Sequence, residues 1–331
     1  MQHKMTIIVP TYNRPDHVKT LMEYFITLFD LTTTKILILD GSEKSYIEPL
    51  PHWKQNNIEY KYYGAELPIL DRWFDGLNRT ETECVGIIAD DDIPHSDGYK
   101  RCLEFLLSNK SYSAAHGNYT GFKIYKNNKL IYYPTYKPFS IEDDDPIMRL
   151  NLFLTNYVPI TYALYRTDVL KKAFTEVLTN VDKDDSHWFE LLLGCIPVIL
   201  GKIKYISCPY YARNYGDSIP REPVIYYRLF YKEDFSNKYK RIKDALKKYF
   251  PETDINTLSD AIDISFAYYN SAFFNKSSIM NDFKSLLNKN VNHLHNRFNY
   301  QKVRILKENI SARLLFNRFF SASIKKAYFK K

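Results

Sequence analysis

Residues 84–92 read Cys-Val-Gly-Ile-Ile-Ala-Asp-Asp-Asp, an apolar segment that ends in three consecutive carboxylates. The short apolar run with β-branched residues predicts a strand that is buried on both faces. Three neighbouring negative charges repel one another unless a cation lies among them. Ligands of open α/β sheets bind at the carboxyl ends of strands, so this segment predicts a site for Mg²⁺ or Mn²⁺ that is shared with a diphosphate. The alternative is a solvated acidic turn.

The segments before this stretch alternate between strand and helix. Residues 5–9, 35–39 and 58–63 have strand patterns, and residues 17–26 and 68–77 have helical periodicity. Polar groups follow the first two strands: Thr11, Asn13 and Arg14 after one, and Asp40 after the other. This order predicts a parallel sheet of the α/β class whose ligand edge collects these side chains.

Composition indicates a globular protein. The chain has 331 residues and is 45% hydrophobic, enough for one large or two modest domains. The four cysteines have no Cys-x-x-Cys spacing, so we expect reduced, buried thiols rather than disulfides or a zinc site. No apolar run reaches 18 residues and the first residues lack the pattern of a signal peptide. We therefore expect a cytoplasmic protein without a transmembrane helix.

The last third of the chain is basic and helical in pattern. Residues 224–331 carry 21 Lys or Arg and 9 Asp or Glu, a net +12, whereas residues 1–223 carry 25 and 29, a net −4. Helical stretches are predicted at 224–249, 255–274, 278–289 and 299–320. Residues 313–331 mix aromatics with cations, which suits an anionic membrane surface, so peripheral membrane contact is our hypothesis. The alternative is a core-packing helix with a solvated basic face.

The middle of the chain has weaker signals. We predict a helix to residue 107, a strand at 111–118 and a hairpin over 123–133 that turns at Asn127 and Asn128. The acids at 142–145 are interpreted as the start of a helix over 146–154. Further strands are predicted at 157–165, 197–200 and 204–207. A loop is predicted at 210–216, whose Arg213 would face a diphosphate.

Three motifs in order carry a family resemblance. They are Thr-Ile-Ile-Val-Pro-Thr-Tyr-Asn-Arg-Pro at residues 6–15, Leu-Asp-Gly-Ser at 39–42 and Ala-Asp-Asp-Asp at 89–92. Together they resemble the N-terminal half of family 2 glycosyltransferases, clearly over residues 5–100 and more weakly to 216. The resemblance implies a GT-A fold, a Rossmann-like sheet flanked by helices, and a nucleotide-activated sugar as donor.

The resemblance also implies roles for individual residues. The first loop would line the nucleotide, Asp40 would contact the base, and the acidic triplet would hold the ribose and a divalent ion, Mn²⁺ or Mg²⁺. Arg72 lies in a helix that often supplies a basic nucleotide contact, although a surface salt bridge with Asp71 or Asp75 is the alternative. The implied nucleotide-sugar-binding residues are Pro10, Thr11, Tyr12, Arg14, Asp40, Arg72, Asp90 and Asp91, and the implied metal ligands are Asp92 and Asp90.

A second acidic segment matches the position of the family's catalytic base. Asp184 and Asp185 precede Gly194 at the spacing of the family's Glu-Asp pair, and Asp185 is preferred as the base. Glu190 stands where the family has an arginine further along the helix. The alternative is that these are only acids at a helix N-terminus. His187 is interpreted as a structural residue rather than a metal ligand.

The resemblance therefore implies an inverting, metal-dependent glycosyltransferase, with a UDP-sugar favoured as donor because the family commonly uses UDP. The acceptor would be a hydroxyl of a glycan or lipid-linked molecule, as in surface polysaccharide or glycoconjugate synthesis, and nucleic acid is not expected as a partner of the enzyme. We expect a GT-A domain at 1–222, with halves at 1–107 and 108–222, and an all-α region at 223–331. One rival is a nucleotidyltransferase, which usually has a glycine-rich first loop. Another is an inactive relative that docks to a polyanion or partner through its basic helices.

Overall fold

The computed structural model describes residues 3–45, 51–124, 130–134, 138–183, 185–215, 234–250 and 255–274. Its first half alternates between strands and helices as the sequence predicts. These elements are β1 (Met5–Thr11), α1 (Pro15–Leu28), β2 (Thr34–Asp40), α2 (Pro51–Gln55), β3 (Ile58–Tyr62), α3 (Ile69–Asn78) and β4 (Cys84–Ile87).

Parallel pairing brings the carboxyl ends of these strands together. β1 lies between β2 and β4 and is parallel to both, and β3 is parallel to β2. Thr11 is in register with Asp40, and Ile8 with Ile87. The first loop, the end of β2 and the acidic triplet therefore meet at one edge of the sheet, as predicted.

The second half completes one mixed sheet. Its elements are β5 (Ile93–Pro94), α4 (Ser96–Ser108), β6 (Tyr112–Ile124), β7 (Leu130–Pro134), α5 (Pro146–Thr155), β8 (Leu164–Arg166), α6 (Thr167–Asn180), α7 (Ser186–Leu200), β9 (Lys202–Asn214), α8 (Phe235–Lys247) and α9 (Ile255–Phe274). Over the described ranges the nine strands have the order β3-β2-β1-β4-β8-β6-β9-β5, with β7 paired to β6. β8 is antiparallel to both β4 and β6. The turn of the predicted hairpin lies outside the described residues.

Two hydrophobic cores cover the two faces of the sheet. Alternate residues of β1 point to opposite faces, so Ile8 belongs to one core while Ile7 and Val9 belong to the other. The first core also includes Phe235 and Leu246 of α8 and apolar residues of α9. These two helices therefore pack on the same core as α5, α6 and α7.

Three predictions for the middle of the chain are wrong. Of residues 157–165 only the end is a strand, because a turn at Ile160 precedes it, in which the Ala163 N–H donates to the Ile160 carbonyl at 2.8 Å. Residues 197–200 are the last turn of α7, since a short apolar run does not distinguish a buried helix from a strand. Residues 210–214, predicted as a loop, are the second half of β9, which pairs with β5 and β6.

The acidic segment at 142–145 is structural, as predicted. Asp145 is the N-cap of α5, and its carboxylate accepts a hydrogen bond from the Ile147 N–H at 2.8 Å. Glu142 pairs with Lys204 at 2.8 Å and Asp144 with Lys202 at 2.6 Å.

The four cysteines are free and buried, as expected. Among the described helices, none has the length and apolarity that crossing a bilayer requires.

We expect His116 on β6 to make the protein less stable as the pH falls from 6.5 towards 4. Burial lowers the pKa of His116 to about 4, so in this range the unfolded chain binds a proton that the folded chain does not. Between pH 7 and pH 5 this costs about 2 kcal/mol of unfolding free energy. Urea unfolding at both pH values should show that His116→Gln lacks this loss. An equal loss in both proteins would contradict the assignment.

Candidate active site

Thr11 and Arg14 connect the first loop to the acidic triplet. The Thr11 hydroxyl donates to Asp90 Oδ2 at 2.7 Å, and Arg14 Nη1 donates to Asp90 Oδ1 at 3.0 Å and to Asp91 Oδ2 at 2.9 Å. Burial raises the pKa of Asp90 despite these contacts, which favour its charged form. Arg14 is thus the cation that relieves the repulsion between the first two carboxylates.

Asp92 is held by β9 rather than by the first loop. The Tyr211 hydroxyl donates to Asp92 Oδ2 at 2.6 Å, and the Asn214 backbone N–H donates to Oδ1 at 2.7 Å. The side chain is 2% exposed, and burial raises its pKa to about 6. Tyr211 also accepts a hydrogen bond from the Ala89 N–H and stacks on Tyr162 with ring centroids 4.9 Å apart.

The carboxylate of Asp40 shapes the loop that follows β2. It accepts hydrogen bonds from the backbone N–H and hydroxyl of Ser42 and from the hydroxyl of Tyr60, the last at 2.6 Å. Ser42 Oγ in turn accepts from the Asn13 N–H at 2.8 Å, with Asn13 in the left-handed conformation that asparagine tolerates. Asp40 is fully buried and its carboxylate bonds to groups of the protein itself. Its role in this structure is therefore to hold the conformation of the loop after β2.

Arg72 does not form the surface salt bridge that is the alternative to a nucleotide contact. It is 5% exposed, and its Nη1 donates to the carbonyls of Thr11 at 3.0 Å and Leu39 at 3.3 Å. Asp71 pairs with Lys183, and Asp75 with Lys61 and Arg79. Burial lowers the pKa of Arg72. The guanidinium therefore ties the ends of β1 and β2 together beneath the ligand edge.

Glycine is required at position 41 because Arg72 lies against it. A Cβ atom at Gly41 would lie 2.1 Å from Arg72 Cζ, which no real contact allows.

Pro10 is buried in β1, whereas Tyr12 in the first loop is 48% exposed. Tyr12 is therefore the residue of this loop whose ring can stack on a ligand.

Asp185 directly precedes α7 and is buried. It occupies the N-cap position, but its side chain makes no capping hydrogen bond. Instead its Oδ2 accepts from Lys238 Nζ of α8 at 2.8 Å. Asp185 is therefore an acid at a helix N-terminus, as the alternative has it, but its side chain pairs with Lys238 rather than capping the helix. Asp184 and the side chain of His187 lie outside the described residues.

The Asp92 carboxylate is suited to be one ligand of a divalent cation. Each of its oxygens accepts one hydrogen bond and keeps a second lone pair. Burial raises the pKa of Asp92, as it does that of Asp90. Arg14 pairs with Asp90 and Asp91 but not with Asp92, which is therefore the carboxylate of the triplet that is open to a metal ion. The described residues contain no group of three or more His, Cys, Asp or Glu side chains that could hold a metal alone. An ion here would therefore take its other ligands from substrate oxygens and water.

Sequence reasoning missed Tyr211, Asn214 and Lys238. Tyr211 and Asn214 fall in residues predicted as a loop, and they meet Asp92 across about 120 positions of chain. Lys238 is one of several cations in a basic helix, and nothing in its immediate sequence distinguishes it. In the structure Tyr211 is in register with Pro94 of β5, the short strand that directly follows the acidic triplet, and this pairing has no signal in the local sequence.

Removing the Tyr211 hydroxyl should destabilise the protein. Tyr211→Phe deprives the buried Asp92 of a hydrogen bond, which costs about 1–3 kcal/mol of unfolding free energy. The neighbouring variant Tyr210→Phe is the matched control, because its hydroxyl donates to a neutral carbonyl, that of Tyr162, at 2.9 Å. Urea unfolding should show a larger loss for Tyr211→Phe. Equal losses of unfolding free energy would mean that the bond to the Asp92 carboxylate stabilises the protein no more than a bond to a neutral carbonyl does.

The comparisons with known proteins give a fold but no close relative. No family model and no curated protein matches the sequence. Among solved structures, S. aureus TarS 1–349 in complex with UDP-GlcNAc aligns over 93% of this chain and 81% of its own, with a TM-score of 0.59 and 17% identity. TarS 1–349 in complex with UDP aligns over 93% and 80%, with a TM-score of 0.55 and 17% identity.

The structure of the longer S. aureus TarS chain aligns over 93% of this chain and 49% of its own, with a TM-score of 0.55 and 16% identity. This chain therefore spans about half the length of that TarS chain. The shared sheet and its flanking helices establish that the chain has a GT-A-type glycosyltransferase fold.

Proposed function

We propose that the chain is an inverting glycosyltransferase that transfers a sugar from a UDP-sugar to an acceptor hydroxyl. The observation that carries this proposal is the joining of Thr11 and Arg14 to the carboxylates Asp90 and Asp91 at the ligand edge of the sheet. The likeness to TarS structures that contain UDP-GlcNAc and UDP supports UDP as the nucleotide.

The first loop and the end of β2 would hold the nucleoside. Tyr12 offers its exposed ring for stacking, and Arg72 and Asp40 fix the backbone on which that ring is carried. The Arg14 guanidinium, about 30% exposed at the ligand edge, has the charge and forked geometry that suit contact with a phosphate. Donor recognition thus depends on a pre-formed edge rather than on a single residue.

A divalent ion, Mn²⁺ or Mg²⁺, is proposed as a cofactor anchored by Asp92, with Asp90 beside it. When bound, it would neutralise the charge that develops on the leaving diphosphate. The protein's own contribution is to hold the Asp92 carboxylate through Tyr211 and Asn214. Because the partners of Asp92 come from β9, the second half of the chain helps to build the donor site.

Asp185 is proposed as the base. It would accept the proton of the acceptor hydroxyl while that oxygen bonds to the anomeric carbon and the bond to the diphosphate oxygen breaks. This single displacement inverts the anomeric configuration. The acceptor, a glycan or a lipid-linked molecule, stays a prediction, and the basic segment 313–331 that would contact a membrane lies outside the described residues.

The test is a panel of UDP-, GDP-, CMP- and dTDP-sugars, each with Mn²⁺, Mg²⁺ or EDTA. The readouts are donor binding by calorimetry and slow donor hydrolysis, in which water replaces the acceptor. We expect hydrolysis of a UDP-sugar that EDTA abolishes. Tight binding without hydrolysis would favour the inactive relative with a docking role. Binding of no donor under any condition would overturn the proposal.

A further inference from the structure

The helix α8 places a lysine among three carboxylates beside the proposed base. Lys238 Nζ lies 2.8 Å from Asp185 Oδ2, 2.9 Å from Asp234 Oδ2 and 3.1 Å from Asp182 Oδ2. Its side chain is 14% exposed. Burial lowers the pKa of Lys238, but the three contacts outweigh this effect and the net shift is upward. The lysine therefore stays charged.

The backbone that carries Lys238 is held firmly against α7. Phe235 and Ile242 of α8 are buried in the same core as α7, and the Phe235 ring lies 5.7 Å from that of Trp188, three residues after Asp185. The Tyr239 hydroxyl donates to Asp263 of α9 at 2.5 Å. Lys238 thus reaches Asp185 from a packed helix, so the position of its ammonium group is well defined.

The contact occupies only one of the two oxygens of Asp185. Oδ2 accepts from Lys238, and no hydrogen bond to Oδ1 is found among the residues that the structure describes. The contact at one oxygen restrains rotation of the carboxylate, and the second oxygen can accept a proton. This arrangement is what a base in a displacement reaction requires.

We propose that Lys238 is a positioning residue that orients Asp185 and sets its charge, so that α8 completes the acceptor side of the active site. This inference rests on the proposed function, in which Asp185 is the base. It assigns to α8 a part in catalysis that is independent of any contact with a membrane.

The charged groups around Asp185 fix the direction of the expected pH effect. Lys238 is the cation in direct contact with it, and Asp182 and Asp234 share that lysine. Arg241 pairs with Asp182 at 2.9 Å, and the neighbouring Lys183 pairs with Asp71 of α3 at 2.8 Å. Removing Lys238 leaves the carboxylates of Asp185, Asp182 and Asp234 without the cation that they share, so like charges face one another and proton uptake by the cluster is favoured.

The test compares Lys238→Met with Lys243→Met. Lys243 is the matched control because it lies on the same helix, is also 14% exposed and pairs with one acid, Asp263, at 2.6 Å. For the full-length enzyme, donor hydrolysis is followed as a function of pH. In Lys238→Met we expect kcat to fall about 10- to 100-fold and KM for the donor to change less than threefold. The acidic limb of the profile of kcat against pH, where activity is lost as the pH falls, should move up by about 1 pH unit. In Lys243→Met the limb should not move.

A second variant separates charge from folding. Lys238→Arg keeps the cation and should restore the position of the acidic limb even if its kcat stays reduced. An active Lys238→Met enzyme with the wild-type limb would overturn this inference while leaving the proposed function intact. Wild-type protein without donor turnover would instead overturn the proposed function. If Lys238→Met does not fold, a wild-type limb in Lys238→Gln overturns the inference and an upward shift supports it.

Discussion

Replacing Asp92 by asparagine should lower donor turnover about 1,000-fold without unfolding the protein. The change removes the one carboxylate of the triplet that makes no direct ion pair with Arg14, and with it the anchor proposed for a divalent ion. A carboxamide of the same shape can still hydrogen-bond to Tyr211 and to the Asn214 N–H. The local structure should therefore persist, and stability should not fall, because a buried charge has been removed.

Hydrolysis of the preferred donor with saturating Mn²⁺ measures the loss, and thermal unfolding measures the stability. Asp91→Asn is the control, since Asp91 belongs to the same triplet but pairs with Arg14 at 2.9 Å. We expect that control to lose about 10-fold or less. Near-normal turnover of Asp92→Asn would remove Asp92 from the mechanism. If a higher Mn²⁺ concentration restores the turnover of Asp92→Asn, Asp92 contributes to the affinity for the metal and to nothing else.

The first four strands could be predicted from sequence because β1, β2 and β4 are short apolar runs and β3 alternates between apolar and polar residues. Their parallel pairing then follows from the intervening helices. The meeting of Thr11 with Asp90 was accordingly predictable as a convergence at one edge. What the sequence did not reveal is that Arg14 bridges two carboxylates, because bridging depends on rotamers rather than on the order of residues.

The second half resisted prediction for a different reason. β9 contains Pro209 and alternates irregularly between buried and exposed positions, so its pattern identifies residues 204–207 as a strand but not the residues that follow. α7 is apolar on all sides, as a helix within a core can be, and its last turn has the composition of a strand. In both cases long-range packing decided the structure, and a single sequence carries little information about it.

Both candidate groups of the active site are completed by distant parts of the chain. Asp92 receives its partners from β9, and Asp185 receives its partner from α8. The motifs that resemble a family lie within the first 92 residues, whereas these partners come after residue 210. The motifs alone therefore do not make the site, because α8 supplies both the partner of the base and part of the core on which α7 packs.

Replacing Asp185 by asparagine should lower kcat about 1,000-fold and leave donor affinity unchanged. The variant keeps the shape of the side chain, and its amide oxygen can still accept from Lys238, but it cannot take a proton from the attacking hydroxyl. In the described structure Asp185 makes no hydrogen bond to the first loop or to the acidic triplet. Calorimetric binding of the donor should therefore match the wild type while turnover collapses.

The matched control is Asp182→Asn, because Asp182 also contacts Lys238, at 3.1 Å, but its side chain is 41% exposed. We expect Asp182→Asn to keep turnover within about threefold, since the lysine retains Asp185 and Asp234. If both variants lose turnover equally, the carboxylates act as a cluster around Lys238 rather than as a base and its neighbours. If Asp185→Asn keeps full turnover, Asp185 is not the base, and Asp184 becomes the candidate because it is the adjacent acid of the same predicted motif.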